Sequence, residues 1–440
     1  METKTIHLQN VTVDGEIVIP GDKSISHRAI MLGSIASGKT TAENFLTGED
    51  CLKTAQIFRE LGVQVDITGT DVVIESAGMQ KWQSPQRPLD CGNSGTTARL
   101  LLGILAGSPV TATVVGDQYL SKRPMDRVVY PLRDMGAHIT SEQEELVLPL
   151  TVQGTTLRAV EYTPPVASAQ VKSAILFAGL QASGTTVVHE LSKTRDHTER
   201  MMEQFGLQID EQKLTVSLRG GQDGKATHVV VPGDISSAAF FIVAALIAKA
   251  GTITLKKVGL NETRTGILDV VQAMGGQVDI VNRSTSVGEP YGDLVITASL
   301  LTGTTIEEEA LMPRLIDELP IIALLATQAS GKTVIRNAAE LRVKETDRIT
   351  AVASQLNALG ANIEELEDGM IIHGPTPLHG GVIDSYGDHR IGMMGAIAAL
   401  VADGPIEVKD TACIAISYPQ FFKHLDKVTQ SSLQLEDESG

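Results

Sequence analysis

The sequence predicts an α/β fold of two lobes, each built from three copies of one repeated unit. Two observations carry that prediction. Gly38, Gly107, Gly184, Gly251, Gly331 and Gly404 each close an apolar, helix-like run and open a Thr/Val/Ile-rich stretch, at intervals of 67 to 80 residues. Pro20-Gly21 and Pro232-Gly233 both follow β-type runs and both precede a helix start. A chain that leaves its first lobe at residue 20 and returns at 232 places 1–20 and 233–440 in one lobe and 21–232 in the other.

Each unit has the same internal order. A second, amphipathic helix ends at a second glycine, as at Gly62, Gly136, Gly206, Gly275 and Gly360. An alternating strand follows, and in most copies one more strand after it. Glycine just past a helix is expected in the left-handed position that stops it. The order helix, strand, helix, strand, strand is too long for an ordinary solenoid repeat and long enough for a small α/β subdomain. The stretch 431–438 reads as a frayed acidic tail.

Composition excludes several classes. The chain has 440 residues, 42% hydrophobic but only 3% aromatic, so its cores must be aliphatic. The formal net charge of −17 argues against nucleic acid or an anionic membrane as partner, without excluding a local basic cleft. The longest apolar stretch, 238–248, is too short to span a bilayer. The first residues lack a signal-peptide hydrophobic run, and Cys51, Cys91 and Cys413 are far apart, so a cytoplasmic protein without a disulfide framework is expected. The histidines are scattered, with no metal-ligand spacing. The segment 33–40 matches the nucleotide P-loop pattern, but a P-loop must follow a strand and open a helix. Here a helix precedes it and a strand follows, so ATP binding there is not expected.

The polar chemistry gathers where the long apolar helices begin. These starts are 21–28, 91–99, 165–172, 232–237, 314–320 and 386–390. Small residues, hydroxyls and backbone N–H groups at a helix N-terminus favour anions. Ser24 or Ser26 is the expected cap of the first helix. Capping does not explain Lys23, Arg28, Arg99 and Arg390, since a cation at a helix start is unfavourable unless an anion is shared. Two further basic clusters are Lys122-Arg123-Pro124 and Arg342-Val343-Lys344-Glu345-Thr346-Asp347-Arg348.

Four segments together resemble the 5-enolpyruvylshikimate-3-phosphate synthases. They are Pro20-Gly21-Asp22-Lys23-Ser24-Ile25-Ser26-His27-Arg28, Gly92-Asn93-Ser94-Gly95-Thr96-Thr97-Ala98-Arg99, the 342–348 cluster, and Gly387-Asp388-His389-Arg390. The resemblance covers about residues 8–425. It implies two lobes of three βαββαβ units with the active site in the cleft between them, and a monomer without metal or cofactor. It also implies transfer of the enolpyruvyl group of phosphoenolpyruvate to the 5-hydroxyl of shikimate 3-phosphate, on the route to chorismate and the aromatic amino acids. Lys23, Ser24, Arg28, Ser168, Ala169, Gln170, Arg195, Asp317 and Lys344 would bind shikimate 3-phosphate. Lys23, Asn93, Gly95, Arg123, Gln170, Arg348 and Arg390 would bind phosphoenolpyruvate. Asp317 would be the general base, and Glu345 or Lys23 the proton donor to carbon. Ile416 stands where many members have a lysine. Arg195, Glu340 and Ala169 resemble the more divergent class II bacterial form. Two alternatives are a UDP-N-acetylglucosamine enolpyruvyl transferase, whose loop cysteine is missing from 116–124, and a non-catalytic anion-binding protein.

Overall fold

The protein is described by a computed structural model over residues 2–8, 11–286 and 288–430, so the acidic stretch 431–438 lies outside the described residues. The chain forms two compact units. One comprises Met1–Pro20, Pro232–Thr285 and Pro290–Gly440, and the other Gly21–Val231 with Ser286–Glu289. Each unit repeats one order three times, strand, helix, strand, helix, strand, strand, and not the βαββαβ order expected; among the described residues the last copy stops at the helix Phe421–Thr429 without its final two strands. Among the described residues the strands make five four-stranded sheets and one three-stranded sheet.

One pairing scheme recurs. In the Gly21–Val231 unit, His228–Val230 runs parallel to Ser37–Glu43, which pairs antiparallel with Asp71–Ala77, which pairs antiparallel with Gln64–Thr68. In the other unit Gly15–Val18 runs parallel to Thr252–Gly259, which pairs antiparallel with Glu289–Thr297. These first strands are exchanged. Gly15–Val18 leads in sequence into the helix Lys23–Ile35, yet it belongs to the sheet of Thr252–Gly259. His228–Val230 leads into the helix Ile235–Ile247, yet it pairs with Ser37–Glu43. The three-stranded sheet is completed by the N-terminal strand Thr3–Ile6, antiparallel to Ile406–Lys409.

The first helices of the six copies are Lys23–Ile35, Gly95–Ala106, Ala169–Gly179, Ile235–Ile247, Leu319–Thr327 and His389–Ala398, and all are mostly buried. They are apolar nearly all round, as helices enclosed by other elements must be. A Cβ on Gly103 would lie 2.1 Å from the Ala174 carbonyl oxygen, so glycine there lets Gly95–Ala106 approach Ala169–Gly179 closely. Among the described residues no helix is long and apolar enough to cross a membrane.

The two glycine series do different work. The second series ends helices as expected, and in one pattern: Gly62 N–H donates to Arg59 and Val63 N–H to Phe58, both at 3.0 Å. The same two bonds recur at Gly136, Gly206, Gly275 and Gly360, and all five glycines have positive φ, from 76° to 100°. These are Schellman caps. The first series meets the expectation in part: Gly38, Gly184, Gly251 and Gly331 have positive φ, from 100° to 120°, but the helices before them are ended by Ala36, Leu180, Ala248 and Gln328. Gly38 and Gly331 lie inside strands, because the preceding helix has already ended; Ala36 caps Lys23–Ile35 in an extended conformation. Gly107 caps its helix at φ −109°, outside the left-handed region.

Gly62 has open space where a Cβ would stand, so the substitution Gly62→Ala isolates the backbone term. At its φ of +92° the alanine variant is expected to lose about 1–2 kcal/mol of stability. Thermal unfolding checks this, and an unchanged melting temperature would contradict it.

Candidate active site

In the Gly21–Val231 unit the first constellation starts at Lys23–Ile35. Its N-cap is Asp22, whose carboxylate accepts from Ile25 N–H at 2.9 Å, and not Ser24 or Ser26. The helix begins at Lys23, two residues earlier than a Ser24 cap allows and four earlier than a Ser26 cap. Ser26 Oγ instead accepts from Leu46 N–H at 3.0 Å. Lys23 pairs with Asp50.

Arg28 is 4% exposed. Its Nε donates to Thr198 Oγ1 at 2.7 Å, one terminal nitrogen to Ser173 Oγ at 2.9 Å, and the other to the Ser24 carbonyl at 3.1 Å. Every one of these acceptors is neutral. Burial pulls its pKa down to about 10, and Glu199 and Asp22 push back. Arg195 lies close enough to act on Arg28 as a like charge. His27 hydrogen-bonds Thr54 Oγ1 through Nδ1 at 2.8 Å, and burial holds its pKa well below the usual range, so the ring is neutral.

The second and third helix starts interlock. Ser94 caps Gly95–Ala106 and Ser168 caps Ala169–Gly179. Gln170 accepts from Arg99 at 2.9 Å and donates to Thr96 at 3.0 Å. Arg123 donates to Asn93 Oδ1 at 3.0 Å. Over Gly95, a Cβ would meet guanidinium nitrogens of Arg99 at 2.7 Å and Arg123 at 3.3 Å. Glycine at this position thus lets two cations lie over a helix N-terminus.

The other unit carries a separate constellation around Arg348, which is 1% exposed. Asp388 grips its Nε and one terminal nitrogen at 2.8 and 3.2 Å, Glu345 accepts at 2.6 Å and Asp317 at 3.4 Å. Burial opposes the charge, but Asp388 and Glu345 outweigh it and hold Arg348 firmly protonated. Asp388 also caps His389–Ala398, accepting from Arg390 N–H at 2.9 Å. Lys344 lies 3.5 Å from Asp317. Arg390 donates to the Asp317 carbonyl at 3.1 Å, while its Nε is buried with no hydrogen-bond partner among the described residues. Arg342, expected only as part of a charged run, braces Asp347 and Glu365 at 2.7 and 3.1 Å.

The sequence argument that cations at helix starts require an external anion is therefore revised. Asp50, Asp317 and Asp388 already partner Lys23, Arg390 and Arg348. Sequence reasoning missed Asp50, Ser173, Thr198 and Asp388's grip on Arg348, as well as a buried triad in which Lys172 meets Glu190 and Glu199 at 2.9 and 2.6 Å. A lysine inside the largely apolar run 171–178, with Ser173 its only other polar residue, is a signal that could have found the triad. The structure also brings Glu289 to the neighbouring Asp196 and His197, with ligand-type atoms within 4.8 Å of one another. Arg200 pairs with Asp196 at 2.9 Å and His197 with Glu289 at 2.7 Å, so cationic or N–H partners already hold both carboxylates. Cys51, Cys91 and Cys413 are all buried and unbridged, and burial raises the Cys413 thiol to about 12. Ile416 is half-buried against the core of its own unit.

Comparison with known proteins follows from this geometry. A family model described as EPSP synthase (3-phosphoshikimate 1-carboxyvinyltransferase) matches residues 9–425. A 3-phosphoshikimate 1-carboxyvinyltransferase of Bacillus pumilus is 53% identical over 424 residues, covering 96% of this chain and 99% of that protein. One of Enterococcus faecalis is 54% identical over 433 residues, covering 98% and 99%. Among solved structures, EPSP synthase from Acinetobacter baumannii superposes with a TM-score of 0.88 at 42% identity, covering 97% of this chain and 98% of that one. The enolpyruvyl transferase NikO from Streptomyces tendae gives 0.79 at 17% identity over 97% of each chain, a likeness of fold alone.

Asp388 is 0% exposed and holds the buried charge of Arg348. Removing one partner of a buried pair leaves the other uncompensated, so Asp388→Ala is expected to cost about 3–5 kcal/mol. Thermal unfolding of the variant checks this; a melting temperature equal to that of the parent would contradict it.

Proposed function

The chain belongs to the EPSP synthase family, and from that premise we propose how its own residues divide the work. The reaction is the 3-phosphoshikimate 1-carboxyvinyl transfer: the 5-hydroxyl of shikimate 3-phosphate takes the enolpyruvyl group of phosphoenolpyruvate, and phosphate leaves. It is a step of the shikimate pathway towards the aromatic amino acids.

The observation that carries the assignment is the contrast in how the cations are held. Arg28 uses three of a guanidinium's five N–H groups on neutral acceptors, which leaves two for a ligand. With Lys23, Ser24, Ser168, the Ala169 backbone, Gln170, Arg195 and Lys344, it is assigned to shikimate 3-phosphate. Arg390 has an unpartnered buried Nε, and with Lys23, Asn93, Gly95, Arg123, Gln170 and Arg348 it is assigned to phosphoenolpyruvate. Planar forks suit both a carboxylate and a phosphate.

The carboxylates then carry the protons. Asp317 takes the proton of the 5-hydroxyl as its oxygen bonds to C2 of the enol. Glu345 or Lys23 gives a proton to C3, forming the tetrahedral adduct. Loss of a proton from C3 and departure of phosphate restore the double bond. The cations of both constellations balance the charge developing on the leaving group. The reading needs no metal or organic cofactor, and it takes the enzyme as a cytoplasmic monomer.

Purified chain given both substrates is expected to release phosphate without added metal; no release would refute the reading. Asp317→Ala is expected to lower kcat by about 10²–10⁴-fold with shikimate 3-phosphate still bound. Near-normal turnover would remove Asp317 as the base. Arg123→Ala is expected to raise the KM for phosphoenolpyruvate by about tenfold or more through loss of a charge-assisted contact. Unchanged constants would refute that placement.

A further inference from the structure

Lys172, Glu190 and Glu199 form an ion cluster in which each side chain is at most 3% exposed. None of the three has a role in the reaction above. A buried ion pair is weak support for stability, since desolvation offsets most of its attraction. Two carboxylates sharing one ammonium are a poorer arrangement still. The cluster therefore calls for a reason other than stability.

Its position supplies one. Lys172 is followed on its helix by Ser173, and Glu199 is preceded on His197–Gln204 by Thr198. Ser173 and Thr198 are the two hydroxyls that receive Arg28, and they bond each other at 2.7 Å. The Lys172–Glu199 contact thus pins the two helices one residue away from the seat of Arg28. Glu190 extends the cluster to the loop 191–196. It accepts from Thr194 N–H at 3.0 Å and from the Thr194 hydroxyl, and Arg195 is the next residue.

The electrostatics point the same way. Glu199 is the foremost charge acting on Arg28. Burial raises the pKa of Glu199, and Lys172 only partly offsets that. Burial alone would lower the pKa of Lys172, but Glu199 and Glu190 outweigh it and keep the ammonium charged. A Glu199 carboxylate without Lys172 would have Arg28 as a natural partner. That ion pair would consume the N–H groups Arg28 keeps for a ligand.

We propose that Lys172 is a positioning residue for substrate binding: it holds Glu199 away from the Arg28 guanidinium, keeping that cation seated on Ser173 and Thr198 and open to an anionic group of shikimate 3-phosphate. Glu190 completes the device by holding the Lys172 ammonium at 2.9 Å from its other side and fixing the loop that carries Arg195. This inference rests on the reading that Arg28 binds shikimate 3-phosphate.

The test is steady-state kinetics on four variants of the full chain, with shikimate 3-phosphate and phosphoenolpyruvate varied separately. Arg28→Ala is the control; if the KM for shikimate 3-phosphate does not rise, the assignment of Arg28 itself fails. With that control in place, Lys172→Met is expected to raise the same KM by about tenfold or more, with kcat within about threefold. Glu199→Gln is expected to shift that KM the other way, downward, because a competitor for Arg28 is gone. The double variant Lys172→Met/Glu199→Gln is expected to return the KM to within about threefold of the parent. A brace serving only structure would give losses of one sign and no rescue. The inference is overturned if Lys172→Met leaves the KM unchanged, or if the double variant is folded and its KM stays about tenfold high. Should Lys172→Met alone not fold, the double variant, which lacks the uncompensated Glu199 charge, decides by the same criterion. A double variant that also fails to fold overturns it, because the cluster is then a stability element.

Discussion

A guanidinium that is to receive an anionic ligand has to be held in place without being neutralised. Much of the arrangement around Lys23–Ile35 follows from that constraint. Arg28 is buried deeply enough to lose water and is given hydroxyls and a carbonyl in exchange. Neutral acceptors fix its orientation and leave its charge available. They also leave the cost of burial unmet, and the net negative Lys172–Glu190–Glu199 cluster offsets part of it from a distance.

The Arg348 constellation answers the same constraint differently. Asp388 takes Arg348 by two nitrogens and caps the helix that presents Arg390, so one buried carboxylate orients two cations. Asp317 and Glu345, the carboxylates assigned to proton transfer, occupy much of what remains of Arg348.

Much of this was legible in the sequence. The six-fold recurrence, the second glycine series and the motifs at 20–28, 92–99, 342–348 and 387–390 locate most of both constellations, because helix starts and caps are local chemistry. The Schellman bonds at Gly62, Gly136, Gly206, Gly275 and Gly360 are formed by neighbours in the chain. What escaped depends on tertiary pairing. Thr198 is 170 residues from Arg28 and Ser173 is 145 from it. The strand exchange that sends Gly15–Val18 to Thr252–Gly259 is a register choice that alternation alone cannot make. Asp22 as cap lies two residues before Ser24, the usual scale of error for a helix boundary, and four before Ser26.

The most direct measurement is a crystal structure with shikimate 3-phosphate bound. It is expected to show an anionic group of the ligand on the open N–H groups of Arg28, with Thr198 and Ser173 still accepting from that guanidinium and Lys172 still on Glu199. A ligand that does not touch Arg28, or an Arg28 that has left its hydroxyls to pair with Glu199, would contradict it.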